Sequence, residues 1–155
     1  MYSPVQLAFK YINYYLKASN GKGHGIHSPF VYDFVTNVLN DKRTFYAYEA
    51  IEKSRQLMLH DETVLTVEDF GAGSRTGLTK QRKIKDIASS SLKPKKFAQL
   101  LFRMVDYYQP KTIVELGTSL GITSSYLASA KTDAQVITME GSSAIAAVAK
   151  KNLQS

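Results

Sequence analysis

Residues 112–128, TIVELGTSLGITSSYLA, decide the fold that the sequence predicts. The apolar run 112–116 is rich in β-branched residues and indicates a short buried strand. The segment 122–130 indicates a helix, and the loop between the two elements, 117–121, begins and ends with glycine. A strand that leads through a glycine loop into a helix is the local pattern of a ligand-binding turn in α/β proteins.

The chain continues with a second strand and a second helix of the same kind. Residues 135–140, QVITME, indicate a strand that ends in Glu140, and the alanine-rich residues 142–153 indicate a helix. Strand, loop, helix, strand and helix in this order are typical of a parallel α/β sheet with right-handed crossovers. The sequence therefore predicts the α/β class for this part of the chain.

Two glycine loops compete for the role of binding a nucleotide or nucleoside. The loop 71–77, GAGSRTG, matches two of the three glycines of the dinucleotide pattern, whereas 117–121 matches only the first. The context favours 117–121, because a polar, basic stretch follows the first loop, while the second lies between a strand and a helix. We interpret 71–77 as a turn, with a lid or substrate loop as the alternative.

The residue types around the loop 117–121 suit a nucleoside. Gly117 permits a sharp turn, and Gly121 permits close packing of the helix. Glu140, at the end of the next strand, can accept hydrogen bonds from both hydroxyls of a ribose. The missing glycines argue against a dinucleotide, whose pyrophosphate must approach the backbone closely.

Residues 114–128 resemble the first motif of class I S-adenosylmethionine-dependent methyltransferases. They are most similar to the catechol O-methyltransferase-like group, which reads E-L-G-x-x-x-G-x-S-x-x-x-x-A. The helix 97–108 with Pro110 resembles the lead-in helix of that group, and residues 137–141 resemble its ribose-binding strand end. The resemblance covers about residues 94–155. Residues 21–34, GKGHGIHSPFVYDF, also resemble an uncharacterised bacterial methyltransferase family with a helical N-terminal extension.

The resemblance implies a Rossmann-like sheet, S-adenosylmethionine as cofactor and methyl transfer to an oxygen or nitrogen of a small molecule. It implies that Glu115 lies near the methionine end of the cofactor and that Glu140 binds the ribose. The resemblance identifies no catalytic residue and no metal ligand in this chain. The implied cofactor-binding residues are Glu115, Gly117, Thr118, Ser119, Gly121, Glu140, Gly141 and Ser142.

The remainder of the chain reads as helices and a connector. Apolar spacing predicts a helix around residues 5–15, a second one that begins with Ser28 as cap and Pro29, and a third over 44–60. Residues 63–68 predict a strand, residues 82–89 a short helix, and Pro94 begins a clearer helix. The expected domains are a helical N-terminal extension, a hairpin or loop with a basic connector, and the first half of the cofactor-binding domain, at 1–62, 63–93 and 94–155.

The methyltransferase fold has seven strands, and only its first two are recognised here. We therefore expect this chain to carry the cofactor-binding first half and to be inactive alone. Without the fourth strand, 112–116 would be an apolar edge, which is a pairing hazard. We expect a partner chain, as in a homo-oligomer, or the segment 63–68 to cover it.

Composition excludes several classes of protein. The chain has 155 residues, of which 44% are hydrophobic and 21% charged, as in a folded domain. It contains no cysteine, which excludes disulfides, thiolate metal sites and a cysteine nucleophile. No apolar run is long enough to span a membrane, and the N-terminus lacks the pattern of a secretory signal. A cytoplasmic protein without a membrane partner is the expectation.

Two other functions stay open at this level. Seven basic residues and one acidic residue lie within 80–96, so this segment could bind RNA, or help to methylate it, although it lacks interleaved aromatic residues. The chain could also be a non-catalytic dimerisation domain. His24 and His27 could act as acids, bases or metal ligands, but without a nearby carboxylate cluster we interpret them as loop residues.

Overall fold

The computed structural model describes residues 3–17, 27–68 and 81–154 of the chain. Its architecture is mixed α/β and mostly helical, which confirms the predicted class. The chain divides into two compact units, Met1–Lys42 and Arg43–Ser155. His24 and the loop 71–77 lie outside the described residues, whereas His27 lies within them and is exposed.

The first unit is helical. Helix α1 spans Pro4–Lys17, and helix α2 spans Pro29–Asp33 and continues as a π-helical stretch over Phe34–Leu39. Ser28 caps α2 as predicted, because its hydroxyl accepts a hydrogen bond from the Val31 amide at 3.4 Å and proline occupies the first turn. None of the helices in the described parts of the chain combines the length and the apolar character that a membrane crossing needs.

Five helices of the second unit are described, and several of them contribute to one aromatic core. The core centres on Phe102, whose ring centroid lies 4.8 Å from that of Phe45 and 5.2 Å from that of Tyr48. Tyr126, fully buried, contacts Tyr48 with the ring centroids 5.6 Å apart. The helices are α3 Ala47–Leu59, α4 Ile84–Ser91, α5 Lys95–Tyr108, α6 Ile122–Ala130 and α7 Ser143–Leu153.

A short antiparallel pair joins strand β1, Val64–Thr66, to strand β2, Gln81–Lys83. The predicted strand 63–68 is therefore confirmed in its central part. A hairpin was one expectation for 63–93, but its second strand was not placed at 81–83, because these three residues are polar and not β-branched. The helix expected over 82–89 begins only at Ile84. Since β1 pairs with β2, the segment 63–68 does not cover the edge of the strand at 112–116.

Strands β3, Thr112–Leu116, and β4, Gln135–Met139, form a parallel pair with α6 between them in the chain. This confirms the predicted order of strand, loop, helix, strand and helix. Among the described residues, β3 pairs with β4 alone. One face of the pair is exposed and apolar: Val114 is 58% and Leu116 81% exposed. Parallel strands are usually covered on both faces, which explains why the sequence of β3 is apolar at outward positions.

The aromatic core gives a test of the fold by mutation. We expect Phe102→Ala to lower the free energy of unfolding by about 3–5 kcal/mol, because it removes a buried ring and leaves a cavity. Phe97→Ala is the matched control on the same helix, since Phe97 is 48% exposed, and it should change stability by less than about 1 kcal/mol. Urea denaturation followed by circular dichroism measures both. Equal effects of the two substitutions would contradict the described core.

Candidate functional site

The loop 117–121 folds across the carboxyl end of β4. The backbone amides of Gly117 and Thr118 both donate to the carbonyl oxygen of Met139, at 2.9 and 3.0 Å. Gly117 has a φ of +93° and Gly121 a φ of +90°, and Ser119 between them also has a positive φ of +49°. Left-handed conformations favour glycine, so the two glycines are required by the backbone of the loop.

The two glycines face different surroundings. A Cβ on Gly121 would lie 3.4 Å from the carbonyl oxygen of Ala149 and from Cγ of Leu153, so α7 packs directly on this residue. A Cβ on Gly117 would meet nothing within 4 Å, so this glycine faces open space. Close packing at Gly121 is therefore present, but the neighbour is helix α7 and not the strand, which was the expected partner of the helix that Gly121 begins.

The Glu140 carboxylate links the loop to the start of α7. Its Oε2 accepts a hydrogen bond from the Ser119 amide at 2.8 Å, and its Oε1 accepts one from the Ser142 amide at 3.1 Å. Ser142 is the cap residue of α7, whose first residues leave backbone amides without helical partners. Each carboxylate oxygen has a second lone pair, so Glu140 keeps acceptor capacity for further donors.

Two serine hydroxyls near this carboxylate are buried without a partner. The side-chain oxygens of Ser119 and Ser142 make no hydrogen bond to any described residue. Buried hydroxyls are normally satisfied, and an unsatisfied one costs about 1–3 kcal/mol. Ser142 is the residue that follows Gly141, and Gly141 itself is exposed. The ends of β3 and β4 therefore present unused hydrogen-bonding groups next to an acidic side chain.

Glu115 belongs to a separate polar network on the inner face of the strands. Its Oε2 accepts hydrogen bonds from the hydroxyls of Ser124 and of Thr138, the latter at 2.7 Å. The Thr138 hydroxyl also lies 2.6 Å from the hydroxyl of Thr118. The network connects β3, β4, the loop and α6. Glu115 is thus held directly by β4 and α6, and through Thr138 it is connected to the loop that follows its own strand.

A cavity of about 360 Å³ opens at the edge of β3 that faces away from β4. Four of the predicted site residues line it, namely Glu115, Gly117, Thr118 and Ser119. Glu140 and Ser142 do not line it. Glu140 accepts a hydrogen bond from the Ser119 amide in the loop, and Ser142 is connected to the loop only through Glu140. The remaining cavity walls come from α5 and α6 and from the segment before α5; they include Ser91, Leu92, Lys93, Leu101, Thr123 and Leu127.

The sequence-based reasoning did not identify these additional wall residues. Thr123 and Leu127 are one helical turn apart on α6 and therefore share a face. Leu92 and Lys93 come directly before Pro94. The proline predicts the start of α5, but nothing in the sequence predicts a role for the two residues before it. Only the packing of α5 against α6 brings these two groups to one cavity.

The basic segment 80–96 is partly neutralised within the second unit. The ammonium groups of Lys83 and Lys85 both contact the Glu62 carboxylate, the former at 2.7 Å. These hydrogen bonds lower the pKa of Glu62 to about 2. The Arg82 guanidinium donates to the Ser90 hydroxyl at 3.0 Å. Three of the basic side chains are therefore engaged with neighbours in the fold.

Within residues 3–17, 27–68 and 81–154, no three His, Asp or Glu side chains come together so that they could hold a metal ion. Comparisons of the chain with protein-family models, with curated proteins and with solved structures find no match. The function proposed below therefore rests on the geometry of the loop and on the sequence resemblance.

Replacement of Thr138 tests the polar network around Glu115. We expect Thr138→Val to lower the free energy of unfolding by about 1–3 kcal/mol, because the same-sized side chain removes a donor to a half-buried carboxylate. Thr112→Val is the matched control at an exposed position of β3 and should change stability by less than about 0.5 kcal/mol. Thermal denaturation of both variants would show the difference, and its absence would contradict the network.

The pKa of Glu62 tests the pairing in the basic segment. Because its folded pKa is lowered to about 2 from an ordinary value of 4.5, the pairing stabilises the fold above pH 4.5 and this stabilisation is lost as the pH falls toward 2. We expect the double variant Lys83→Ala, Lys85→Ala to return the pKa toward its ordinary value. NMR titration of the Glu62 carboxyl measures it. An unchanged titration midpoint in the variant would refute the pairing.

Proposed function

We propose that the second unit binds S-adenosylmethionine and forms the cofactor-binding part of a class I methyltransferase with a Rossmann-like sheet. One observation carries this proposal. Glu140, at the end of β4, contacts the glycine loop at the end of β3, and its carboxylate accepts hydrogen bonds from the amides of Ser119 and Ser142. A carboxylate in this position can accept hydrogen bonds from the two hydroxyls of a ribose.

The groups around Glu140 fit a nucleoside. Gly117 faces open space, so no side chain fills the side of the loop that a ligand would approach. The hydroxyls of Ser119 and Ser142 are buried and without partners among the described residues, so they are available as donors or acceptors.

The cavity beside β3 fits the rest of such a cofactor. It contains Glu115 together with the backbone of Gly117 and Thr118, and apolar walls from Leu92, Leu101 and Leu127. In the proposed complex, Glu115 lies near the amino acid end of the cofactor, and Glu140 holds the ribose. When bound, S-adenosylmethionine supplies a methyl group on a sulfonium sulfur for transfer to a nucleophile. The residues described here position it, which is the main contribution of a protein to such a displacement.

The order of elements in the second unit supports the Rossmann-like part of the proposal. Loop 117–121 and Glu140 follow the carboxyl ends of two parallel strands, β3 and β4. In open α/β sheets, ligands bind in the crevice outside this edge of the sheet. The proposed methyl acceptor is a small molecule.

Calorimetric titration with S-adenosylhomocysteine tests the proposal. We expect the chain to bind this product analogue and Glu140→Ala to weaken binding by about tenfold or more, since it removes an acceptor of charge-assisted hydrogen bonds. Glu140→Gln keeps the size and one acceptor and should give an intermediate loss. Glu62→Ala is the control, because it removes an exposed glutamate that pairs with lysines away from the loop.

Each variant is first checked for folding by its melting temperature, since Glu140 also links the loop to α7 in the free protein. Absence of binding by the wild-type chain at millimolar S-adenosylhomocysteine would count against the proposal. Equal binding by the wild type and by a folded Glu140→Ala variant would show that Glu140 does not bind the ribose.

A further inference from the structure

We propose that Arg55 is a positioning residue that sets the separation of two walls of the cavity beside β3. One wall is the segment Ser91–Lys93, and the other is the face of α6 that carries Thr123 and Leu127. This inference rests on the proposed function insofar as it concerns the cofactor, but its structural part can be tested without any ligand.

The segment Ser91–Lys93 is a short connection between α4 and α5. Leu92 has extended backbone angles and its amide donates to the carbonyl of Ala88 at 3.3 Å. The next carbonyl, that of Lys93, accepts a hydrogen bond from Nη1 of Arg55 at 2.9 Å. The Arg55 side chain, on α3, therefore holds this segment through the Lys93 carbonyl.

The guanidinium of Arg55 is oriented by a partly buried carboxylate. Its Nε lies 3.0 and 3.1 Å from the two oxygens of Glu52, one helical turn earlier on α3. The Arg55 side chain is 9% exposed and that of Glu52 16%. A planar guanidinium held at Nε by a carboxylate has few orientations left, so its Nη1 is directed to the Lys93 carbonyl.

The same carboxylate reaches the opposite wall. Oε1 of Glu52 accepts a hydrogen bond from the hydroxyl of Tyr126 at 2.9 Å, and Tyr126 is a fully buried residue of α6. The contacts from the Lys93 carbonyl through Arg55 and Glu52 to Tyr126 thus form a continuous bridge between the two walls. Helix α6 begins directly after the glycine loop, so the bridge also fixes the wall in relation to that loop.

The energetics of buried ion pairs separate positioning from stability. Replacing both members of a buried pair by apolar residues of similar size often leaves stability unchanged, whereas removing one member leaves a buried charge unpaired. The double variant Glu52→Leu, Arg55→Met therefore removes the bridge without leaving a charge unpaired. It leaves the buried hydroxyl of Tyr126 without its acceptor, so we expect it to lower the melting temperature. Tyr126→Phe removes only the hydroxyl link to α6. Arg43→Met is the matched control, because it breaks an exposed pair with Asp106.

Hydrogen exchange measured by NMR gives the ligand-free readout. In the double variant we expect the Leu92 amide, which donates to the Ala88 carbonyl, to exchange about tenfold faster, while amides in the middle of α5 keep their rates. A purely structural role would instead raise exchange to the same degree throughout the second unit. Unchanged exchange at Leu92 in a folded double variant would overturn the inference.

Titration with S-adenosylhomocysteine gives the second readout. If the wild type binds, we expect the double variant to bind about tenfold more weakly and Arg43→Met to bind as the wild type does. Equal binding by the double variant would overturn the role of the bridge at the cofactor site. If the wild type does not bind S-adenosylhomocysteine, the proposed function is contradicted. The hydrogen-exchange result then still tests whether Arg55 and Glu52 hold the cavity wall.

Discussion

The parallel pairing of β3 with β4 is the constraint on which the rest of the second unit depends. Parallel neighbours cannot be joined by a tight turn, so the chain must cross over through α6 before β4 begins. Both strands then end at the same edge. The loop after β3 therefore lies beside Glu140, at the end of β4. The Glu140 carboxylate can then accept hydrogen bonds from the amides of both Ser119 and Ser142.

Two polar residues of the strands, Glu115 and Thr138, lie on the inner face. Glu115 and Thr138 point toward the inside of the unit, where their hydroxyl and carboxylate groups satisfy one another together with Ser124. The apolar residues Val114 and Leu116 point outward and are exposed. Charged groups tolerate burial only when they are paired or hydrogen-bonded, and this network provides the partners for Glu115.

Helix α3 contributes to the second unit more than its place in the sequence suggests. The sequence assigns residues 1–62 to a helical extension, whereas α3 shares a core with α5 and α6 through Tyr48, Phe102 and Tyr126. The aromatic pairs are tilted or edge-to-face, as the quadrupoles of the rings favour. The Glu52–Arg55 pair on the same helix extends this core to the wall of the cavity.

The sequence by itself determined the elements with strong local signals. The β-branched run before Gly117, the positive-φ glycines, the Ser28 cap and the order of strands and helices after Pro110 all follow from residue type and spacing. The tertiary structure decided what depends on pairing between distant residues. Polar residues 81–83 became a strand because a partner was present at 64–66, and the Lys93 carbonyl accepts a hydrogen bond from Arg55, which lies 38 residues earlier in the chain. Local propensity does not encode such contacts, since they are chosen by packing.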